Sequence, residues 1–170
     1  RAADRDASLL VLTGDHADDS STEDFEALSG QLRSLPLPVV VLPGEREAAG
    51  RSLNNFQVQF GPPVLSWEIR LAPAALQFAT FKSPNQSTGS EGVSTLLDRL
   101  DDFREDTPLV TLTHTPPLDP RGLRDRGFRS RIEGARTLSA LGSEGVDLLL
   151  AGHLPTAHQT NLEGVPTRIP

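Results

Sequence analysis

The chain has 170 residues, of which 36% are hydrophobic and 23% charged, and this length suffices for one domain with a buried core. It contains no cysteine, which excludes a disulfide framework, a thiolate zinc site and a cysteine nucleophile. Its net charge of −7 argues against general nucleic-acid binding, and no apolar run is long enough to span a membrane. Because methionine is also absent, the chain is expected to be part of a longer protein, and its composition leaves the compartment open.

The N-terminal part predicts a β-strand, a helix and a second β-strand in succession. Ser8–Thr13 is a largely apolar run typical of a buried strand. Ser20 and Glu23 form a capping-box pattern, and apolar residues at helical spacing extend the helix to about Leu35. Two prolines end this helix, and Val39–Leu42 is the next strand. The segment is therefore expected to be a right-handed βαβ unit.

The rest of the chain alternates strand-like and helical patterns. It predicts an antiparallel pair of strands at Val64–Leu71 and Ala75–Phe81, followed by a helix at Glu91–Phe103. A buried strand at Leu109–Thr113, a second helix that begins with the capping box of Ser130 and Glu133, and a last strand at Val146–Ala151 complete the pattern. No repeat or long linker divides the chain. We therefore expect a single layered α/β (α+β) domain over residues 1–170, with helices packed on sheets.

Four of the predicted strands end in loops that carry a potential metal ligand: Asp15, Glu45, His114 and His153. Ligands of open α/β sheets bind at the carboxyl ends of the strands, so these side chains are expected to converge there. Carboxylate and imidazole groups together suit zinc, manganese or iron. The pattern predicts a divalent-metal site at this edge.

Each of the four residues also has an ordinary structural explanation. Asp15 could be the N-cap of the next turn. Glu45 belongs to the charged run Glu-Arg-Glu, which is more often a solvated loop. His114 and His153 could be hydrogen-bonded core histidines. Only their shared placement favours the metal site.

In order and spacing these motifs resemble those of the calcineurin-like metallophosphoesterases. That family has a four-layer αββα sandwich, a dinuclear metal site, and the blocks G-D-x-x-D, G-N-H-D/E, a lone histidine and G-H-x-H. The chain has Gly-Asp-His-Ala-Asp at 14–18, Gly-Glu-Arg-Glu at 44–47, His114 before Thr-Pro-Pro, and Gly-His-Leu-Pro at 152–155. The resemblance extends from about Ser8 to Ile169 and implies the family's fold for the chain.

Departures from the family pattern imply a reduced site. The family's first block, D-x-H, would lie before residue 1, so the sandwich is expected to lack its first strand in this chain. Arg46 stands where the family has a histidine that assists the leaving group, and a guanidinium does not give up its proton. Pro155 stands at the second histidine of the last block, and His158, three residues later, would take its place only through a shift of the loop. His16 lies in a site loop, at a position that the family does not use as a ligand.

By the same resemblance, Asp15, Glu45, His114 and His153 would hold one divalent metal (zinc, manganese or iron), or the site would hold none. His114 would be a vestigial catalytic group. Arg46 would bind a phosphate or, as we favour, replace the charge of a lost cation. Six arginines lie between residues 121 and 136, so a phosphate-bearing ligand near Arg46 and Arg121 is one expected partner.

Three functions are compatible with this interpretation of the motifs. The favoured one is a binding or scaffolding module with weak or no hydrolysis, whose incomplete sheet edge would accept a protein partner. The second is an active metal-dependent phosphomonoesterase or phosphodiesterase whose missing ligands lie upstream of Arg1. The third is a non-catalytic α/β interaction domain in which the strand-end residues only cap turns. Nucleic acid is not expected as a partner.

Overall fold

A computed structural model describes residues 7–17, 19, 21–48, 52–61, 66–71, 74–80, 98, 106–122 and 126–170. The chain divides into two compact units, residues 1–63 and 64–170. The helix predicted at 91–103 lies outside the described residues except for Asp98, which is helical. Among the described helices, none has the length and apolar character of a membrane span.

The first unit contains β1 (Leu10–Leu12), α1 (Thr22–Arg33), β2 (Val39–Val41) and α2 (Ser52–Phe60). β1 and β2 pair in parallel, with Leu10 opposite Val39, as the predicted βαβ unit requires. The predicted capping box is wrong by one residue. The Ser21 hydroxyl accepts the Asp24 N–H at 3.1 Å, and the Asp24 carboxylate accepts the Ser21 N–H at 3.4 Å. Two overlapping Ser-x-x-acid patterns compete here, and the later one caps the helix.

Helix α2 was not predicted from the sequence. Its apolar residues Phe56 and Phe60 lie one turn apart and contact Phe25 of α1 edge-on, with ring centroids 5.8 and 6.2 Å away. Phe25 and Phe56 are fully buried. Edge-on aromatic pairs of this kind join the two helices into one small core.

The second unit is built on a six-stranded mixed sheet. Its elements are β3 (Ser66–Leu71), β4 (Ala74–Thr80), β5 (Leu109–Thr113), α3 (Arg131–Ser143), β6 (Leu148–Ala151), β7 (His158–Leu162) and β8 (Val165–Ile169), with strand order β3-β4-β5-β6-β8-β7. The predicted antiparallel pairing of β3 with β4 is confirmed. β4, β5, β6 and β8 run parallel, so the carboxyl ends of β5 and β6 lie side by side.

The core of the second unit lies between α3 and the sheet. Every residue of β5 is buried, as its continuous apolar pattern predicts for a central parallel strand. Leu138 and Leu141 of α3 pack with Leu149 and Val165. The predicted cap of α3 is confirmed, since the Ser130 hydroxyl accepts the Glu133 N–H at 3.2 Å. The α/β class is confirmed, whereas the single domain over 1–170 stays a prediction.

Candidate metal centre

Asp15 lies in a strained turn at the end of β1. Its φ is 58°, and that of the preceding Gly14 is 104°, so both adopt the left-handed region. This conformation costs a non-glycine residue about 1–2 kcal/mol. Strained backbone at a strand end is a frequent sign of a functional site.

The Asp15 carboxylate does not cap α1, whose N-cap is Ser21. It reaches the loop after β2, where its Oδ1 accepts the Arg46 N–H at 3.2 Å. Gly44 lies directly against Asp15, and a Cβ at position 44 would overlap the backbone N and Oδ1 of Asp15. The loops after β1 and β2 are thus fitted closely to each other.

Glu47 holds these two loops together, and its role was missed from the sequence. Its side chain is fully buried, so the alternative of a solvated Glu-Arg-Glu loop does not hold for this residue. One carboxylate oxygen, Oε2, accepts the N–H groups of Asp15 at 2.8 Å and Gly44 at 2.7 Å. The other, Oε1, accepts those of His16 at 2.9 Å and Ala17 at 3.4 Å. The available signal was the family's D/E position, which Glu47 fills.

Glu45 and Arg46 occupy the turn that Glu47 closes. Glu45 is half-buried, and Arg46 is exposed. Arg46 contributes its backbone N–H to Asp15, as described above. The metal-ligand role of Glu45 and the phosphate or charge-replacement role of Arg46 stay predictions.

His16 has a structural role in the same unit. Its Nε2 lies 2.8 Å from the Leu42 carbonyl oxygen, so the ring donates its proton from Nε2. The ring thereby ties the Asp15 loop to the residue that follows β2. This agrees with its position outside the ligand set.

In the second unit, His114 and His153 meet at the ends of neighbouring strands. His114 follows β5 and is 2% exposed, and its carbonyl accepts the Gly152 N–H at 2.8 Å. His153 follows β6 and is half-buried with a φ of 65°, another left-handed residue at a strand end. The parallel register of β5 and β6 brings the two histidines together as the strand-end argument predicts.

The contact between the two imidazoles suits a shared metal ion. His153 Nδ1 lies 3.3 Å from His114 Nε2, with the ring planes at 79°. Two nitrogens bound to a tetrahedral zinc ion at ~2.0–2.1 Å lie about 3.3–3.4 Å apart. The distance also admits a long hydrogen bond between the rings, which binding of an ion would replace. The two nitrogens therefore fit two ligand positions of one cation.

The remaining family positions offer no third imidazole. Pro155 is exposed and has no ligand atom. His158 lies in β7 opposite Ile169, and its Nε2 is buried without a hydrogen-bond partner among the described residues. The replacement of the missing histidine by His158 stays a prediction.

Arg121 is engaged by Asp119 in the loop after His114. The guanidinium donates from Nε to Asp119 Oδ1 at 3.0 Å and from an Nη to Oδ2 at 2.8 Å, and the Arg121 backbone N–H donates to Oδ1 at 2.8 Å. These hydrogen bonds hold the pKa of Asp119 below its ordinary value of 3.8, although burial opposes the shift. The pair stabilises the loop, and a phosphate at Arg121 would compete with Asp119.

Comparisons with known proteins agree with this architecture. The GAP50 structure, described as the anchor in the inner membrane complex of Plasmodium, superposes with a TM-score of 0.72 at 13% identity, over 99% of this chain and 62% of that one. A putative 5'-nucleotidase from Staphylococcus aureus superposes with a TM-score of 0.64 at 12% identity, over 94% of this chain and 39% of that one. Phosphopantetheinyl hydrolase from Mycobacterium tuberculosis superposes with a TM-score of 0.62 at 16% identity, over 95% of this chain and 77% of that one.

The chain therefore spans about three fifths of the first of these proteins and two fifths of the second. No curated protein sequence matches it. The family model for calcineurin-like phosphoesterases matches residues 1–157, which include all four predicted metal ligands. The chain belongs to the calcineurin-like phosphoesterase family.

Proposed function

We propose that the chain is a phosphoesterase-fold binding module that holds one divalent cation and hydrolyses phosphate esters weakly or not at all. From the family's ligand positions, we propose Asp15, His114 and His153 as its ligands. The observation that carries the proposal is the 3.3 Å approach of His153 Nδ1 to His114 Nε2, which suits one shared ion.

The donor set supports zinc, manganese or iron as the cation. Two imidazoles and one carboxylate are a common ligand set for these metals. When bound, such an ion polarises phosphoryl oxygens and acidifies bound water. The chain's own contribution is to orient the ligands: β5 and β6 fix the two histidines, and the Asp15 turn fixes the carboxylate.

Weak hydrolysis follows from two residues inside the chain. A second metal of the family type would need a second histidine in the last block, where Pro155 has no ligand atom. A single ion loses the two-metal clamp on the attacking and leaving oxygens. Arg46 stands at the position of the family's assisting histidine, and it can hold a phosphate but cannot protonate a leaving alkoxide.

A binding role is also in keeping with one structural relative. GAP50 is described as an anchor, and it shares the fold at 13% identity. That likeness supports only the general point that the fold can serve attachment. We propose a protein or a phosphate-bearing ligand as the partner.

Metal content and turnover test the proposal together. Purified protein is loaded with zinc, manganese or iron(II), and bound metal and hydrolysis of bis-p-nitrophenyl phosphate and p-nitrophenyl phosphate are measured. We expect one equivalent of metal and negligible turnover, with metal lost in His114→Ala and in Asp15→Asn. His158→Ala is the matched control, because it removes an imidazole outside the proposed ligand set. Efficient turnover with two equivalents would establish the active phosphoesterase instead.

A further inference from the structure

Among the described residues, the buried carboxylate of Glu47 is held by main-chain groups. Its four hydrogen bonds come from the N–H groups of Asp15, His16, Ala17 and Gly44. A carboxylate removed from water is stable only when such donors replace its hydration. Neutral main-chain dipoles therefore take the place of a basic partner.

Three of these donors are consecutive, and the strained backbone explains how they converge. The left-handed conformations of Gly14 and Asp15 turn the following N–H groups toward a common point. Successive N–H groups arranged in this way form a concave anion site. In this chain the anion is an internal one, the Glu47 side chain.

The same contacts determine where the Asp15 side chain lies. The Asp15 N–H donates to Glu47. Asp15 Oδ1 accepts the N–H of Arg46, the residue directly before Glu47 in the chain. Gly44 leaves no space for Asp15 to move toward β2. A change at Glu47 would therefore release both ends of Asp15.

We infer that Glu47 is a positioning residue, whose internal anion keeps Asp15 in the strained conformation needed to bind the cation. The inference rests on the proposed function for the metal, whereas the effect of Glu47 on the loop can be measured without any metal. Glu47 itself is not one of the proposed metal ligands.

Three variants separate positioning from general stability. Glu47→Gln keeps the size but turns an amide N–H₂ toward N–H donors. Glu47→Ala removes the anion and leaves a cavity that acetate or formate can fill. Phe56→Leu is the matched control, because it weakens the core of the same unit without touching the four N–H groups.

The first measurement is amide hydrogen exchange without metal. In Glu47→Gln we expect the amides of Asp15, His16 and Gly44 to exchange at least tenfold faster, while the Leu42 amide, bonded to the Leu12 carbonyl, changes much less. Acetate or formate should slow exchange of the same loop amides in Glu47→Ala. Equal acceleration at all these amides, as in Phe56→Leu, would refute the inference.

The second measurement is binding of cobalt(II), which reports ligand geometry through its visible spectrum. Loss of a supporting hydrogen-bond partner typically lowers metal affinity 10–100-fold, and we expect this loss in Glu47→Gln, with partial recovery by acetate in Glu47→Ala. Unchanged affinity and spectrum in Glu47→Gln would overturn the inference. If the unmodified protein binds no metal, the proposed function fails, and the exchange experiment still decides whether Glu47 holds the loop.

Discussion

The partly buried ion pair of Asp119 and Arg121, in the loop after His114, allows a quantitative prediction for Asp119→Asn. Asp119 has a fully buried side chain and accepts three hydrogen bonds from Arg121, whose side chain is 31% exposed. Asparagine can keep an oxygen at Oδ1 for two of these bonds but places N–H₂ against the guanidinium at Oδ2. Hydrogen bonds to charged groups contribute ~1.5–3 kcal/mol each, and the partial exposure of Arg121 reduces this loss. We expect Asp119→Asn to lower the free energy of unfolding by about 1–2 kcal/mol.

The pH dependence of this difference follows from the lowered pKa of Asp119. A carboxylate whose pKa is lower in the folded state binds protons more readily when unfolded, so it stabilises the fold at pH values above its ordinary pKa of 3.8. That stabilisation is lost as the pH falls through the lowered folded-state pKa. The difference between the unmodified protein and Asp119→Asn should therefore be constant near neutral pH and shrink below about pH 4.

Urea unfolding followed by Trp67 fluorescence measures this effect, because the chain's one tryptophan lies in β3, in the same unit as Asp119. Arg121→Lys serves as a second variant, since it keeps the charge but loses the two-pronged contact. Equal stability of Asp119→Asn and the unmodified protein at neutral pH would show that this ion pair does not stabilise the fold. A difference that persists unchanged under acid conditions would show that the ionisation of Asp119 is not its source.

Three further substitutions test other contacts of the candidate site. Gly44→Ala should destabilise the protein by about 1–3 kcal/mol and weaken metal binding, because its Cβ overlaps Asp15; thermal unfolding and metal titration check this, and an unaltered Tm would contradict it. Gly134→Ala should destabilise by a similar amount, because its Cβ overlaps the Pro117 carbonyl oxygen where α3 meets the loop; equal urea midpoints would argue against that packing. His153→Asn should leave stability unchanged or raise it by up to ~1 kcal/mol, since asparagine tolerates a positive φ, while metal uptake is lost; retained uptake would remove His153 from the site.

The strand ends were predictable because central parallel strands are continuous apolar runs, which are visible directly in the sequence. Leu109–Thr113 was predicted with the bounds that the structure has, and the loops that carry His114 and His153 follow from it. The start of α1 was predicted one residue too early, because Ser20 and Ser21 begin overlapping capping patterns and only the hydrogen bonds of the folded chain distinguish them. Such choices depend on contacts outside the local sequence.

Helix α2 and Glu47 were missed for related reasons. Helix α2 has only nine residues, and the apolar Val58 between Phe56 and Phe60 is exposed, so the helical pattern is weak and the helix depends on its contact with Phe25. Glu47 lies in a run of charges that resembles a solvated turn, and its burial depends on N–H groups from a loop about 30 residues away. A carboxylate satisfied by distant main-chain donors leaves no local pattern in the sequence.

Metal stoichiometry in matched histidine variants is the decisive test of a single-cation site. Zinc, manganese and iron are measured in the unmodified protein, in the double variant His114→Ala, His153→Ala, and in His158→Ala, together with turnover of bis-p-nitrophenyl phosphate. We expect one equivalent in the unmodified protein and in His158→Ala, none in the double variant, and negligible turnover throughout. Metal content that is equal in all three proteins, or two equivalents with efficient turnover, would contradict this expectation.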